Sequence, residues 1–129
     1  MLPLPIFALL LMTANAHQSQ PKAHSLKLEF LMFDGCPNSP KMLVNLRTAL
    51  KALHINQSPK VLDITKLSAK DRRRGFGAPT VLVNTKELFG RVAPTGSETS
   101  VSCRLYSSGV PTAGEIERQL SKIIHVRSK

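Results

Sequence analysis

The chain has 129 residues, with 18 lysines and arginines against 8 acids and a formal net charge of +10. That length holds one domain and no second core of normal size, and 42% hydrophobic against 20% charged residues excludes a chain too polar to fold. Two cysteines are too few for a disulfide scaffold or a four-thiolate zinc site, and the basic excess points to acidic partners without bearing on fold.

Residues 2–12 form an apolar run, far shorter than the roughly 20 residues needed to span a bilayer. Ala14-Asn15-Ala16 follows as a small-x-small cleavage pattern. Residues 1–16 are therefore expected to be a secretory signal peptide, although no Lys or Arg precedes the apolar run. The alternative is an apolar terminal strand or anchor. Cleavage leaves about 113 residues, with no membrane span, exported to the periplasm or beyond the cell. Disulfides persist there, so Cys36 and Cys103 can be a bridge, a redox pair or a thiol metal site.

Residues 17–24 are a polar, flexible lead, and the folded domain is expected over 25–129. Residues 25–34 alternate at first, with Leu26, Leu28 and Phe30 on one side and Lys27 and Glu29 on the other. The run then turns continuously apolar, as a strand does when it enters the centre of a sheet. Gly35-Cys36-Pro37-Asn38 breaks it, and Ser39 can cap a helix over 40–53 with Pro40 at its first position. A second strand is expected over 61–65, then a short basic helix over 69–74, capped by Ser68 and ended by Gly75. Residues 80–83 and 87–89 read as a hairpin turning at Asn84-Thr85. Residues 90–111 lack periodicity, are rich in Gly, Ser, Thr and Pro, and hold Cys103; connections of this length are often functional. Thr112 and Glu115 form a capping box for a last helix whose apolar face is Ile116, Leu120, Ile123 and Ile124. The order β-α-β-α-β-β-α predicts an α/β domain, a four-stranded mixed sheet with helices on both faces.

That order, with a Cys opening the first helix and a Pro just before the third strand, resembles the thioredoxin-like fold. Three stretches sharpen the match: Phe33-Asp34-Gly35-Cys36-Pro37-Asn38, Gly77-Ala78-Pro79-Thr80-Val81-Leu82-Val83-Asn84 and Ser102-Cys103-Arg104-Leu105-Tyr106. They look like a group of small bacterial thioredoxin-like proteins, some of them labelled alkylmercury-lyase-like. The resemblance implies that Pro79 is a cis-proline facing the active cysteine and that the Ala78 backbone pairs with an extended substrate peptide. A trans proline opening an edge strand is the alternative. One departure is plain: the stretch reads Cys36-Pro37-Asn38-Ser39, so the second cysteine of a Cys-x-x-Cys motif is missing.

Cys36 lies where a strand meets a helix, and the N-terminal end of a helix favours the thiolate that attacks disulfides and binds soft metals. Ser39 cannot resolve a mixed disulfide, so the chemistry is monothiol or uses Cys103. A Cys36–Cys103 bridge would close a loop of about 68 residues and stabilise the fold by roughly 4 kcal/mol. Alkylmercury lyases use two cysteines and an aspartate, and Cys36, Cys103 and Asp34 supply those groups, though Asp is also a common turn residue. Arg74, in the basic run with Lys70, Arg72 and Arg73, and Arg104 beside Cys103 are candidates to bind substrate or lower the cysteine pKa; solvated helix-end cations are the plainer reading. The four histidines show no metal-ligand spacing.

Three functions are expected. The first is an exported thiol protein acting on protein thiols or disulfides. The second is soft-metal or organomercurial handling through Cys36 and Cys103, with mercury as the type of metal and no other cofactor. The third is a non-catalytic interaction module with a structural disulfide. Nucleic acid is not expected, because export and the shortage of aromatics both argue against it.

Overall fold

The structure is a computed structural model and describes residues 25–92 and 101–127. The expected signal peptide and lead lie outside the described residues, as does the stretch 93–100 of the long connection. The elements are β1 (Leu28–Met32), α1 (Asn38–Ala52), β2 (Lys60–Asp63), two 3₁₀ turns (Ile64–Lys66 and Arg72–Phe76), β3 (Thr80–Val83), β4 (Lys86–Glu87) and α2 (Ala113–Arg127). The sheet order is β2-β1-β3-β4, with β1 parallel to β2 and antiparallel to β3, and β3 antiparallel to β4. This is the expected α/β domain with a four-stranded mixed sheet.

β1 is central, and its alternation divides two cores. Leu28 and Phe30 point to one face and pack with Val81 and Val83 of β3, Met42, Leu46, Ala49 and Leu50 of α1, and Ile116 and Leu120 of α2. Leu31 points to the other face and packs with Leu82, Ile64, Phe76 and Ala78. Both α-helices thus share one face. The second face is covered by the 3₁₀ turns and by Val101 and Arg104, which corrects the expectation of helices on both faces.

The reason lies in two aspartates. Asp63 accepts from the Thr65 amide at 2.9 Å and Asp71 from the Arg73 amide at 3.0 Å. Each carboxylate captures an amide two residues ahead, and that local bond starts a tight turn in place of an α-helix. The expected strand 61–65 accordingly ends at Asp63, and the expected helix 69–74 becomes the 3₁₀ turn Arg72–Phe76, ended by Gly77. Ser39 does not cap α1 either. The helix begins earlier, with Pro37 as N-cap, and the buried Ser39 hydroxyl has no hydrogen-bond partner among the described residues.

Other local signals hold. Asn84 and Thr85 both have positive φ (50° and 73°), as a two-residue hairpin turn demands. Glu115 accepts from the Thr112 amide at 2.8 Å while the Thr112 hydroxyl accepts from the Glu115 amide at 3.2 Å. α1 ends with paired bonds, Ile55 N–H to Leu50 O (2.9 Å) and His54 N–H to Lys51 O (3.1 Å), around His54 in the left-handed region. No helix among the described residues is long and apolar enough to cross a membrane.

Candidate functional site

Cys36 is placed by the turn that joins β1 to α1. Gly35 takes φ 93°, and the Cys36 carbonyl accepts the Ser39 amide at 3.2 Å, so the cysteine sits at the mouth of α1. The free amides and dipole of that helix end favour negative charge on its sulfur. The residue is only 3% exposed.

The Ala78–Pro79 peptide bond is cis, as the resemblance implies. Ala78 is fully buried, and both of its backbone groups are taken by the far end of the chain. Its amide donates to Ser102 O at 3.0 Å, and its carbonyl accepts the Arg104 amide at 2.6 Å. Cys103, between them, lies opposite Ala78 in a parallel bridge. This register brings the two cysteines together: Cys36 and Cys103 are joined, S–S 2.08 Å and Cα–Cα 5.6 Å, across 67 positions of sequence. Cys36 Sγ also lies 3.3 Å from the Ala78 carbonyl oxygen, within reach of an S–H donor once the bond is reduced.

Gly77 is what lets the strap of residues 102–106 lie this close. Its φ of 73° and ψ of −174° are accessible essentially to glycine alone, and a Cβ there would stand 3.0 Å from Ser102 O.

A buried polar network fastens the same strap from the other side. Arg104 Nη1 lies 2.9 Å from Glu87 Oε1 and donates to the Thr80 hydroxyl at 3.2 Å. Glu87 Oε2 accepts the amides of Phe89 and Arg91, each at 2.8 Å, so the carboxylate is fully engaged. Tyr106 donates its hydroxyl to Pro79 O at 2.8 Å, and the Arg104 guanidinium lies 4.2 Å from its ring centroid. Burial pushes the Tyr106 pKa up to about 12; the adjacent Arg104 cation works against that rise and Glu87 adds to it.

No family model matches this chain, and comparison with curated proteins and with solved structures returns no match.

Asp34 is exposed in the turn ahead of Cys36. Arg74 is directed elsewhere: its guanidinium donates to the carbonyls of Ile64 (3.1 Å) and Leu67 (2.9 Å), which ties the two 3₁₀ turns together. Arg104 spends its charge on Glu87. Thus Cys36, Cys103, Pro79, Ala78 and Arg104 converge, whereas Arg74 belongs to the wall of the second core. No group of three or more His, Cys, Asp or Glu side chains suited to a metal ion occurs among the described residues.

Sequence reasoning missed Glu87, Thr80 and Tyr106 as the anchors of the strap. The Ser102-Cys103-Arg104-Leu105-Tyr106 stretch carried a signal, since it sets an arginine and a tyrosine two apart. It also missed Glu29, which is buried and bound by Arg73 Nη1 at 2.5 Å. Asp71 holds the other edge of that guanidinium at 2.7 Å. The hydrogen bond from Arg73 lowers the Asp71 pKa, and Asp71 first and then Glu29 raise that of Arg73.

Proposed function

We propose that this chain is an exported, thioredoxin-like thiol protein that exchanges electrons with protein thiols or disulfides through Cys36 and Cys103. The observation that carries the reading is the bridge between a cysteine at the mouth of α1 and a cysteine held against the backbone preceding cis-Pro79. The order β2-β1-β3-β4, with the cysteine between the central strand and the first helix, supports it. In the reducing direction the two thiols give two electrons and two protons to a target disulfide, and the Cys36–Cys103 bond forms as the target bond breaks. In the oxidising direction the same exchange runs backwards.

Thiol titration before and after reduction, together with alkylation kinetics, tests this. The purified protein should show no free thiol until reduced and two thereafter, with one thiol alkylating faster than a model thiol at neutral pH. If the reduced cysteines react no faster than a model thiol, and the protein does not equilibrate with a glutathione redox buffer, the exchange reading is wrong.

A second reading, a structural disulfide on an interaction module, draws on the polar contacts that hold the strap independently of the bond. It expects the same two thiols without enhanced reactivity. Soft-metal capture needs the reduced pair, whose two thiolates would have to take one thiophilic ion such as mercury between them. Cys103→Ser should then abolish tight one-to-one binding.

A further inference from the structure

We infer that Cys103 is the sulfur at which an external thiol enters, and that Cys36 is the buried sulfur that leaves and later recloses the bond. The inference rests on the thiol–disulfide reading above and assigns its polarity. It reverses the expectation from the resemblance, which casts Cys36 as the residue that meets the partner.

Access decides the point. Cys36 is 3% exposed, whereas Cys103 is an exposed residue between exposed Ser102 and half-buried Arg104. Thiol–disulfide exchange depends on which sulfur a thiolate can reach, and on how readily the other one leaves. The external thiolate attacks Cys103 Sγ and forms a new S–S bond there. The old bond breaks, and its electron pair passes to Cys36 Sγ. Cys36 departs as a thiolate at the mouth of the 15-residue helix α1, whose end favours that charge and so makes it the better leaving group.

The strap then sets the fate of the mixed disulfide. Cys103 is flanked by the Ser102 and Arg104 bonds to Ala78 and by Arg104–Glu87 and Tyr106–Pro79, none of which involves either sulfur. The mixed disulfide therefore stays beside the Cys36 thiolate. Attack by Cys36 on Cys103 Sγ expels the external thiolate and restores the bridge. Net reduction needs a second external thiolate, which attacks the external sulfur, carries it off as a disulfide and releases the Cys103 thiolate. Arg104, Glu87 and Tyr106 are positioning residues for this cycle, since they act on the sulfur only through the strap.

The experiment uses the oxidised full chain and reduced glutathione. The reaction is stopped with acid at short times, and the peptides carrying each cysteine are mapped by mass. Glutathione should be on Cys103, with Cys36 free. A second measurement compares single-cysteine variants with Ellman's reagent at a pH where both thiols are ionised. Cys103 in Cys36→Ser should react at least about tenfold faster than Cys36 in Cys103→Ser, because burial limits access. Glutathione on Cys36, or equal rates in the two variants, overturns the assignment while leaving the exchange reading intact. A bridge that no concentration of glutathione opens overturns the exchange reading and the polarity with it.

Discussion

The two faces of the sheet are held by different physics. On the helical face, Leu28, Phe30, Val81 and Val83 meet apolar stripes of α1 and α2, and burial of apolar surface is the dominant force. On the other face, beside a smaller apolar core around Leu31, Ile64 and Phe76, the row Glu29, Leu82 and Glu87 runs across β1, β3 and β4, with a carboxylate at each end. Arg73 from a 3₁₀ turn closes one carboxylate, and Arg104 from the strap closes the other. An irregular segment has no repeating apolar stripe to bury, so a helix can find its place by area and a strap cannot. Directional ion pairs supply the missing register. The cysteine that must meet Cys36 rides on the segment placed in this directional way.

Substitutions can break that contrast. The largest effect is expected from Phe30→Ala, which empties the centre of the helical face and should cost about 4 kcal/mol in denaturant unfolding. Glu87→Ala should cost about 3 kcal/mol, because Arg104 is left buried and unpaired. Replacing both partners together, Glu87→Leu with Arg104→Met, should recover most of that stability. If the double variant stays as unstable as Glu87→Ala, the pair does more than compensate its own charges, and the contrast sharpens. Gly77→Ala forces a disfavoured backbone and crowds Ser102, and should cost about 1–3 kcal/mol. It should also make the bridge easier to reduce, which Phe30→Ala should not do at equal loss of stability.

The most gradual effect is in pH. Tyr106 has its folded pKa raised from 10.0 to about 12, so its stabilisation is complete below pH 10 and is lost as pH rises towards 12. Unfolding free energy should fall by about 1.4 kcal/mol per pH unit in that window, and Tyr106→Phe should flatten the slope. On the other face, the Asp71 pKa is lowered by Arg73, so its contribution is present above the ordinary carboxylate value and is lost as pH falls through the lowered one. Tyr106, packed on the helical-face core, and Asp71, beside the buried Glu29, should therefore weaken the fold at opposite ends of the pH scale.

Legibility in the sequence tracks the range of the interaction. The Thr112–Glu115 box, the Asn84-Thr85 turn and the apolar helix stripes are settled within a few residues, and their signals stand directly in the chain. Asp63 and Asp71 are equally local, yet a strand-like run and a basic helix-like composition mask the effect of a single capturing carboxylate. Glu29 shares its side of the strand with Lys27 and so looks solvent-facing; the short bond from Arg73, 44 residues away, is what chiefly makes its burial tolerable, with Lys27 a looser partner at 3.8 Å. The meeting of Cys36 with Cys103 depends on the Ala78–Cys103 register, which is a property of the assembled sheet. A linear reading of the chain therefore leaves both the bridge and the free pair open.

The bond between residues 36 and 103 makes a closed circle of covalent chain that takes in α1, β2, both 3₁₀ turns, β3 and β4. β1 and α2 hang outside it as two tails. A protease that cuts anywhere within the circle opens it without parting it, and the protein runs as one piece on a gel until reductant is added. A cut between the circle and α2 leaves the C-terminal helix held only by packing, chiefly of Ile116 and Leu120 in the core. The side of Cys103 on which a nick falls thus decides whether the two pieces stay covalently joined under denaturing conditions.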